Sequence, residues 1–417
     1  MKVFKFGGAS VKDAHAVKNL ASILKTYEEP LVVVVSAMGK MTNAMEKVVN
    51  AYFKNDNSSV KYLDDVRDFH WNILKDLFPE DHSIYKYTEE MLDEVRYKLL
   101  TDPSMNYNFE YDQIVSYGEL LSTKIISEYL EYIHIENQWI DIRKILKTDD
   151  IYREANVDFE ISAHLAKDVF LPSGNLKYLT QGFIGSNKIN QTTTLGREGS
   201  DYTGALIASF VGAESFTVWK DVPGILNADP KWFSNTVKLE KLTYTDAIEL
   251  AFYGASVLHP KTIQPVKQNN IPLYVKSFLN PEEEGSVIGN FNYEKLVPCF
   301  IFKVDQVLIK VHPKDLSFIA EHNLKRIFSI MAKYSLRANL MQNTAVSFRI
   351  CVNNDSSRIL PVVEELEKHY KITTEEDLEL ITIRYYDQQT IDRVLINKEV
   401  LLEQHNQMTV QMVVRKL

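Results

Sequence analysis

Thr192-Thr193-Thr194-Leu195-Gly196-Arg197-Glu198-Gly199-Ser200-Asp201-Tyr202-Thr203-Gly204-Ala205-Leu206 is the stretch from which the rest of the chain can be read. It passes from small hydroxyls through two glycines that flank Arg197 and Glu198, reaches Ser200-Asp201, and enters an apolar run. That order describes a loop feeding a helix N-terminus, with Ser200 or Asp201 placed to cap it. Open N–H groups of a first turn, the helix dipole and a nearby guanidinium together suit a negatively charged ligand. In isolation, a capped helix beside a solvated arginine accounts for the stretch as well. A glycine loop at the front of the chain and an acidic loop after residue 219 shift the balance toward a ligand site.

At the front, residues 2–6 alternate charged and apolar side chains and break at Gly7-Gly8. Val11, Ala14, Val17, Leu20, Ala21 and Leu24 then fall at helical spacing, with Ser10 available as the cap. Strand, glycine loop and helix in that order form a unit that binds phosphate through backbone amides. Gly-Gly alone is equally a tight turn. Lys5 precedes the glycines, and neither GxxxxGK[ST] nor GxGxxG occurs, so P-loop and Rossmann readings lose their support. Next, Leu31–Val35 is a β-branched run that reads as a buried parallel strand. It empties into Ser36-Ala37-Met38-Gly39-Lys40-Met41-Thr42-Asn43, at the end of a strand where open α/β sheets bind ligands.

Helices are expected over 43–53, 58–78, 88–100 and 111–132, with Glu119 in the last. Apolar runs return at 139–142 and 179–184. After the central loop comes a strand at 216–220 followed by Pro223-Gly224 and Asp229-Pro230 turns. A helix at 243–253 and a strand at 271–277 complete an alternation that predicts a mostly parallel sheet covered on both faces. From about residue 300 the order becomes βαββαβ, the ferredoxin-like split unit, and 386–417 carries one or two more strands and little else.

With 417 residues the chain exceeds one ordinary core. Its net charge of −9 argues against wrapping nucleic acid, while leaving room for a locally basic site. Cys299 and Cys351 form neither a disulfide framework nor a CxxC pair, and no segment approaches the length of a membrane span or a signal peptide. We therefore expect a cytoplasmic protein with neither membrane nor nucleic-acid partner.

Lys5-Phe6-Gly7-Gly8-Ala9-Ser10, Ser36–Asn43, Gly182-Phe183-Ile184-Gly185, the central stretch, Trp219–Pro230 and Val257-Leu258-His259-Pro260 together resemble aspartokinase, of the amino-acid kinase superfamily. The resemblance runs in order over residues 1–290, and residues 300–385 resemble the ACT modules that follow the kinase domain in that family. It implies an α/β fold: a three-layer α/β/α sandwich at 1–298, a ferredoxin-like (βαββαβ) ACT domain at 299–385, and a truncated second ACT-like segment at 386–417. It also implies transfer of the ATP γ-phosphoryl group to the β-carboxylate of L-aspartate, the first step toward lysine, threonine and methionine. Mg²⁺ would arrive with ATP, needing no dedicated carboxylate cage, and a homodimer would form through the ACT region.

Carried over by position, Lys5 matches the phosphate-neutralising lysine, with Gly7 and Gly8 supplying amides and Ser36 holding the transferring group. Asp201 would orient Lys5 and the substrate. Thr42, Glu119, Arg197 and Ser200 match the aspartate side, with Glu119 on the amino group and Arg197 on the α-carboxylate. Lys220, Asp221, Leu226, Asp229 and Lys231 fall where the nucleotide loop lies. The departures are Glu198 for a glycine, Lys220, Leu226 and Lys231 for Thr, Tyr and Arg, and Ser256 for a nucleotide-side lysine. His322 and Asn339 stand where the effector site usually has glycine and an acidic residue, so feedback by lysine is not expected. Two other readings stay open on sequence alone: a kinase for another carboxylate such as glutamate, and a catalytically weak amino-acid-binding regulatory protein.

Overall fold

A computed structural model describes residues 1–233, 235–255, 258–292, 297–315 and 317–417. Ser256 and Val257, both used in the sequence comparison above, lie outside the described residues. The chain divides into two compact units. One comprises Met1–Ile225, Lys238–Ile248 and Val257–Asn292; the other comprises Leu226–Val237, Glu249–Ser256 and Tyr293–Leu417.

In the first unit an eight-stranded sheet runs in the order 241–243, 286–289, 273–277, 216–220, 2–6, 31–35, 177–181, 137–140. All its pairings are parallel except that between Leu273–Ser277 and Ser286–Gly289. Lys2–Phe6 is central, paired on one side with Leu31–Val35 and on the other with Phe216–Lys220. Every residue of Leu31–Val35 is fully buried, which is what a β-branched run predicts for a strand covered on both faces.

Strand alternation sorts the central side chains. Phe4, Phe6, Val33, Val35 and Trp219 join a core with the helices Ala14–Lys25, Ser58–Leu77 and Tyr117–Tyr132. Phe6 stacks on Trp219 with ring centroids 5.7 Å apart. Lys5 turns to the opposite face, beneath the helix Gly199–Val211.

The expected helix at 111–132 is two helices, Tyr107–Val115 and Tyr117–Tyr132. They part at Ser116, whose hydroxyl turns back to the Gln113 carbonyl 3.4 Å away. The break places Glu119 in the first turn of the second helix. Ser10 does not cap the first helix; it lies inside a short 3₁₀ turn at Gly8–Val11, and Asp13 accepts the Ala16 N–H at 2.8 Å instead. A helix that periodicity did not announce, Pro260–Gln268, starts with proline in its first turn, where the missing N–H costs nothing.

The second unit is built on a six-stranded antiparallel sheet ordered 338–343, 348–353, 299–313, 370–384, 409–416, 398–405. Cys299–Pro313 and Tyr370–Arg384 are fifteen residues each and pair along their lengths, with irregularities around Lys303–Leu308. Their outer halves pack Val307, Ile309 and Val311 against the helices Glu321–Lys333 and Ser356–Glu367, completing the βαββαβ unit. Their other halves pack Phe300, Ile381 and Ile383 against Ile391, Val394, Val410 and Met412. The tail thus contains a helix, Gln388–Val394, besides the strands Lys398–His405 and Thr409–Lys416. An Asp387–Thr390 capping box starts that helix. Being only seven residues long, it left too little periodicity to read.

One close approach holds the first unit's site together. A Cβ at Gly182, just past the strand Lys177–Gln181, would lie 2.5 Å from Ser200 Cβ and 2.6 Å from its Cα. Gly182→Ala is expected to destabilise the first unit by about 1–3 kcal/mol, because the helix must back away from the sheet. Chemical denaturation followed by tryptophan fluorescence would measure it; an unchanged midpoint would show that this contact gives way freely.

Candidate active site

The carboxyl ends of the strands Lys2–Phe6, Leu31–Val35 and Lys177–Gln181 open onto a cavity of about 800 Å³. Lys5, Ser36, Thr42, Glu119, Arg197, Ser200 and Asp201 all line it. Position at the strand ends follows from the parallel topology, since loops there converge while helices cover the faces.

Asp201 is fully buried and sits between two ammonium groups. Lys5 Nζ lies 2.5 Å from Oδ1 and Lys220 Nζ lies 3.0 Å from Oδ2. Burial would push the Asp201 carboxyl up, but the two lysines outweigh it and hold it at about 2. Lys220 mirrors this: burial pulls its ammonium down, and Asp201 more than restores it. Lys5 and Asp201, nearly two hundred residues apart in sequence, therefore meet. They do so because Lys5 is on the sheet face that the helix covers, at a point where a Cβ on Gly204 would stand 2.6 Å from the Phe216 ring and 3.5 Å from Lys5 Cβ.

The glycine loop completes the basic corner. A Cβ on Gly8 would stand 2.6 Å from the Gly39 carbonyl oxygen and 2.9 Å from that of Ala37, so the two strand-end loops touch only because Gly8 has no side chain. A Cβ on Gly7 would meet only Lys5 Nζ, at 3.4 Å. The space a side chain would fill there is space beside the ammonium, which suits an anion.

In the same cavity Glu119 is 2% exposed, and its Oε2 has no hydrogen-bond partner among the described residues. Thr42 Oγ1 donates to its Oε1 at a long 3.4 Å. Burial raises the Glu119 carboxyl to about 8, against the opposing pull of backbone amides, Thr42 and the Lys5 charge. A buried acid with one free oxygen is matched to a cationic ligand group, which would convert it to the carboxylate. Arg197 is exposed at the rim, and no carboxylate lies within 4 Å of it among the described residues.

Capping of the helix differs from the expectation. Neither Ser200 nor Asp201 caps it: Glu198 is the N-cap, in the left-handed region at φ 57°, and gives no side-chain cap bond. The Asp201 carboxylate is held by the lysines instead. Asp221 follows Lys220 at the end of its strand. Leu226, Asp229 and Lys231 belong to a segment of the second unit, where Asp229 Oδ1 accepts the Lys231 N–H at 2.9 Å and Ala228 joins the core around Phe300.

Asp112 was not singled out from sequence and organises the cavity wall. Fully buried, it accepts from Thr194 N at 2.9 Å, Thr194 Oγ1 at 2.8 Å and Arg153 N at 3.0 Å. Burial raises its carboxyl to about 6 despite these donors. An acid within an otherwise amphipathic helix gives no sequence signal of such a role; only its partners in distant loops reveal it.

Residues 1–277 match the model of the amino acid kinase family. The lysine-sensitive aspartokinase 3 of Escherichia coli (strain K12) is 32% identical over 400 residues, covering 91% of this chain and 86% of its own. Aspartokinase 1, chloroplastic, of Arabidopsis thaliana is 31% identical over 393 residues, covering 88% and 67%. The solved structure of E. coli aspartokinase III in complex with aspartate and ADP superposes with a TM-score of 0.83 at 28% identity, over 99% of this chain and 96% of that one.

Replacing Asp201 by Asn would leave two ammonium groups facing each other without an anion, at a cost of about 3–5 kcal/mol near neutral pH. The sign follows from its depressed pKa: the stability it supplies is present above pH 4 and is lost as pH falls toward 2. Urea denaturation of wild type and Asp201→Asn at pH 7 and pH 3 checks both, the gap between them being expected to narrow at the lower pH.

Proposed function

The chain belongs to the amino acid kinase family and, within it, to the aspartokinases; from that premise we propose that it transfers the γ-phosphoryl group of ATP to the β-carboxylate of L-aspartate, as the first step toward lysine, threonine and methionine. The observation that carries this reading is the pairing, in one cavity, of the Lys5–Asp201–Lys220 cluster with the buried, half-unpaired Glu119.

A carboxylate nucleophile is ionised at neutral pH and needs no general base. Its difficulty is approach, since two like unit charges about 4 Å apart repel by about 4 kcal/mol at an effective dielectric of about 20. Catalysis then rests on fixed cations, amides and in-line positioning. A β-carboxylate oxygen bonds to the γ-phosphorus while the bond to the bridging oxygen breaks, and that electron pair leaves with ADP. Lys5 and the amides of Gly7 and Gly8 neutralise the phosphates, Ser36 holds the transferring group, and Asp201 keeps Lys5 oriented. Glu119 and Thr42 take the substrate amino group; Arg197 and Ser200 take its α-carboxylate. Lys220 and Asp221, at the end of the strand Phe216–Lys220, serve the nucleotide, and Mg²⁺ would arrive with ATP and offset its phosphate charge.

In the same reading, 1–298 is the kinase domain, 299–385 an ACT domain and 386–417 a second ACT-like segment, in a homodimer that works in the cytoplasm. The edge strands Ala338–Asn343 and Lys398–His405 offer unpaired backbone groups to a second copy. No described helix is long and apolar enough to cross a membrane. Feedback by lysine is not expected on this reading. Asn339, at the usual acidic position, has its amide engaged by Gln306, Asn353 and the Lys303 ammonium at 2.8–3.0 Å, which leaves no anion for an incoming ammonium.

Hydroxamate formation with ATP, Mg²⁺ and aspartate tests the activity. Wild type is expected to turn over aspartate in preference to glutamate, Lys5→Ala to lose at least a hundredfold, and millimolar lysine or threonine to leave the rate unchanged. Wild-type activity no higher than that of Lys5→Ala would sink the kinase reading. A pH series probes Glu119. Empty, the site holds a proton below about pH 8, and the ammonium-bound form does not, so binding releases a proton below that pH. The KM for aspartate should fall by up to about tenfold per unit as pH rises toward 8, then level off. Glu119→Gln should abolish that slope; a pH-independent wild-type KM between 6.5 and 8 would remove the amino-group assignment.

A further inference from the structure

Arg153 lines the same cavity as Glu119 and Arg197, yet nothing in the sequence pattern marked it. Its backbone is fixed from three directions. The Arg153 N–H donates to Asp112, the carboxylate that also holds Thr194. The next amide but one, Ala155, donates to the Thr194 carbonyl at 2.9 Å. The Arg153 carbonyl oxygen stands only 3.0 Å from where a Cβ on Gly196 would be, so the central loop presses directly on it. These contacts hold Arg153 at φ 70°, the left-handed region that a side-chain-bearing residue occupies at a cost.

The side chain is equally placed. The guanidinium carbon lies 4.4 Å from the ring centroid of Tyr111 and 5.6 Å from that of Tyr107. A cation on an aromatic face uses its plane and leaves its edge, with the N–H fork, free. Among the described residues that fork has no hydrogen-bond acceptor, and no carboxylate comes within 4 Å of it, although Glu119, Glu154 and Glu198 line the same cavity. Asp112 is not its partner, because that carboxylate is filled by the three donors named above. A strained, pre-oriented, half-buried guanidinium with an empty fork is a carboxylate receptor without its carboxylate.

Which carboxylate follows from position. Arg153, Tyr111 and Glu119 line one cavity, and Tyr111 and Glu119 stand on the consecutive helices Tyr107–Val115 and Tyr117–Tyr132, so the ring that carries the Arg153 guanidinium belongs to the Glu119 side. The amino and α-carboxylate groups of an amino acid share one carbon, so the end held near Glu119 is the α end. Resting on the aspartokinase reading, we propose that Arg153 is a second guanidinium for the substrate α-carboxylate, a specificity-determining residue that Tyr111 presents to the cavity.

Arg153→Gly is the informative variant, since glycine is at ease at φ 70° and the fold should hold or gain. Calorimetric titration with aspartate in the presence of ADP, and steady-state kinetics, are run on wild type, Arg153→Gly and Arg153→Lys. The expected result is an aspartate Kd and KM raised about tenfold or more in Arg153→Gly, an intermediate loss in Arg153→Lys, and an unchanged KM for ATP. The α-amide of aspartate, which lacks the α-carboxylate, should bind wild type and Arg153→Gly alike. Unchanged aspartate binding in a folded Arg153→Gly protein overturns the proposal, and so does a loss that persists with the α-amide. Wild type that binds aspartate but transfers no phosphoryl group sinks the kinase reading while leaving the Arg153 comparison legible.

Discussion

The arrangement depends on one buried carboxylate shared by two ammonium groups. Asp201 joins a sheet residue, Lys5, and a residue from the end of the neighbouring strand, Lys220, to the first turn of the helix Gly199–Val211. Isolated burial of any one of the three would be prohibitive. Together, two positive charges and one negative leave a single net positive charge, fixed in place and facing the cavity. Water would have to reorganise to do the same for an incoming polyanion; here the reorganisation is completed on folding. The cluster is a weak source of stability, and its worth lies in orientation.

Everything around it keeps the parts close. Gly8, Gly182 and Gly204 each mark a point where backbone meets backbone or ring at distances no side chain would permit. The Leu31–Val35 strand, buried on both faces, supplies the rigid floor. Asp112 acts as a knot, binding the helix Tyr107–Val115 to both Thr194 and Arg153. The cavity joins two kinds of group: the Lys5–Asp201–Lys220 cluster, with its net positive charge, and a buried Glu119 whose carboxyl burial raises to about 8.

Much of this was readable from residues alone, and the reasons differ. Strands such as Leu31–Val35 and glycine loops such as Gly7-Gly8 report local backbone needs, so their signals are local too. Lys5, Glu119, Arg197 and Asp201 could be named because their residue types in ordered motifs match a family, not because periodicity located them. Asp112 and Arg153 carried no such mark. Their roles consist of partners forty or more residues away, and a left-handed φ at an arginine leaves no trace in composition. The capping expectation for Ser200 and Asp201 failed for a related reason. A side chain with two possible partners chooses the stronger, and a pair of ammonium groups outbids a backbone amide.

The second unit teaches the same point at the level of topology. Two fifteen-residue strands each serve two cores, and a reading by segments leaves the tail short of its helix. By itself the sequence determined the fold class, the order of elements and the identity of the charged groups, because periodicity, turn chemistry and motif order are properties of neighbouring residues. Only the tertiary structure decided which charges meet, which are buried and which guanidinium points into the cavity with an empty fork. Those are outcomes of packing a helix and two loops over the carboxyl ends of the central strands, and desolvation acts on the packed assembly, not on the chain.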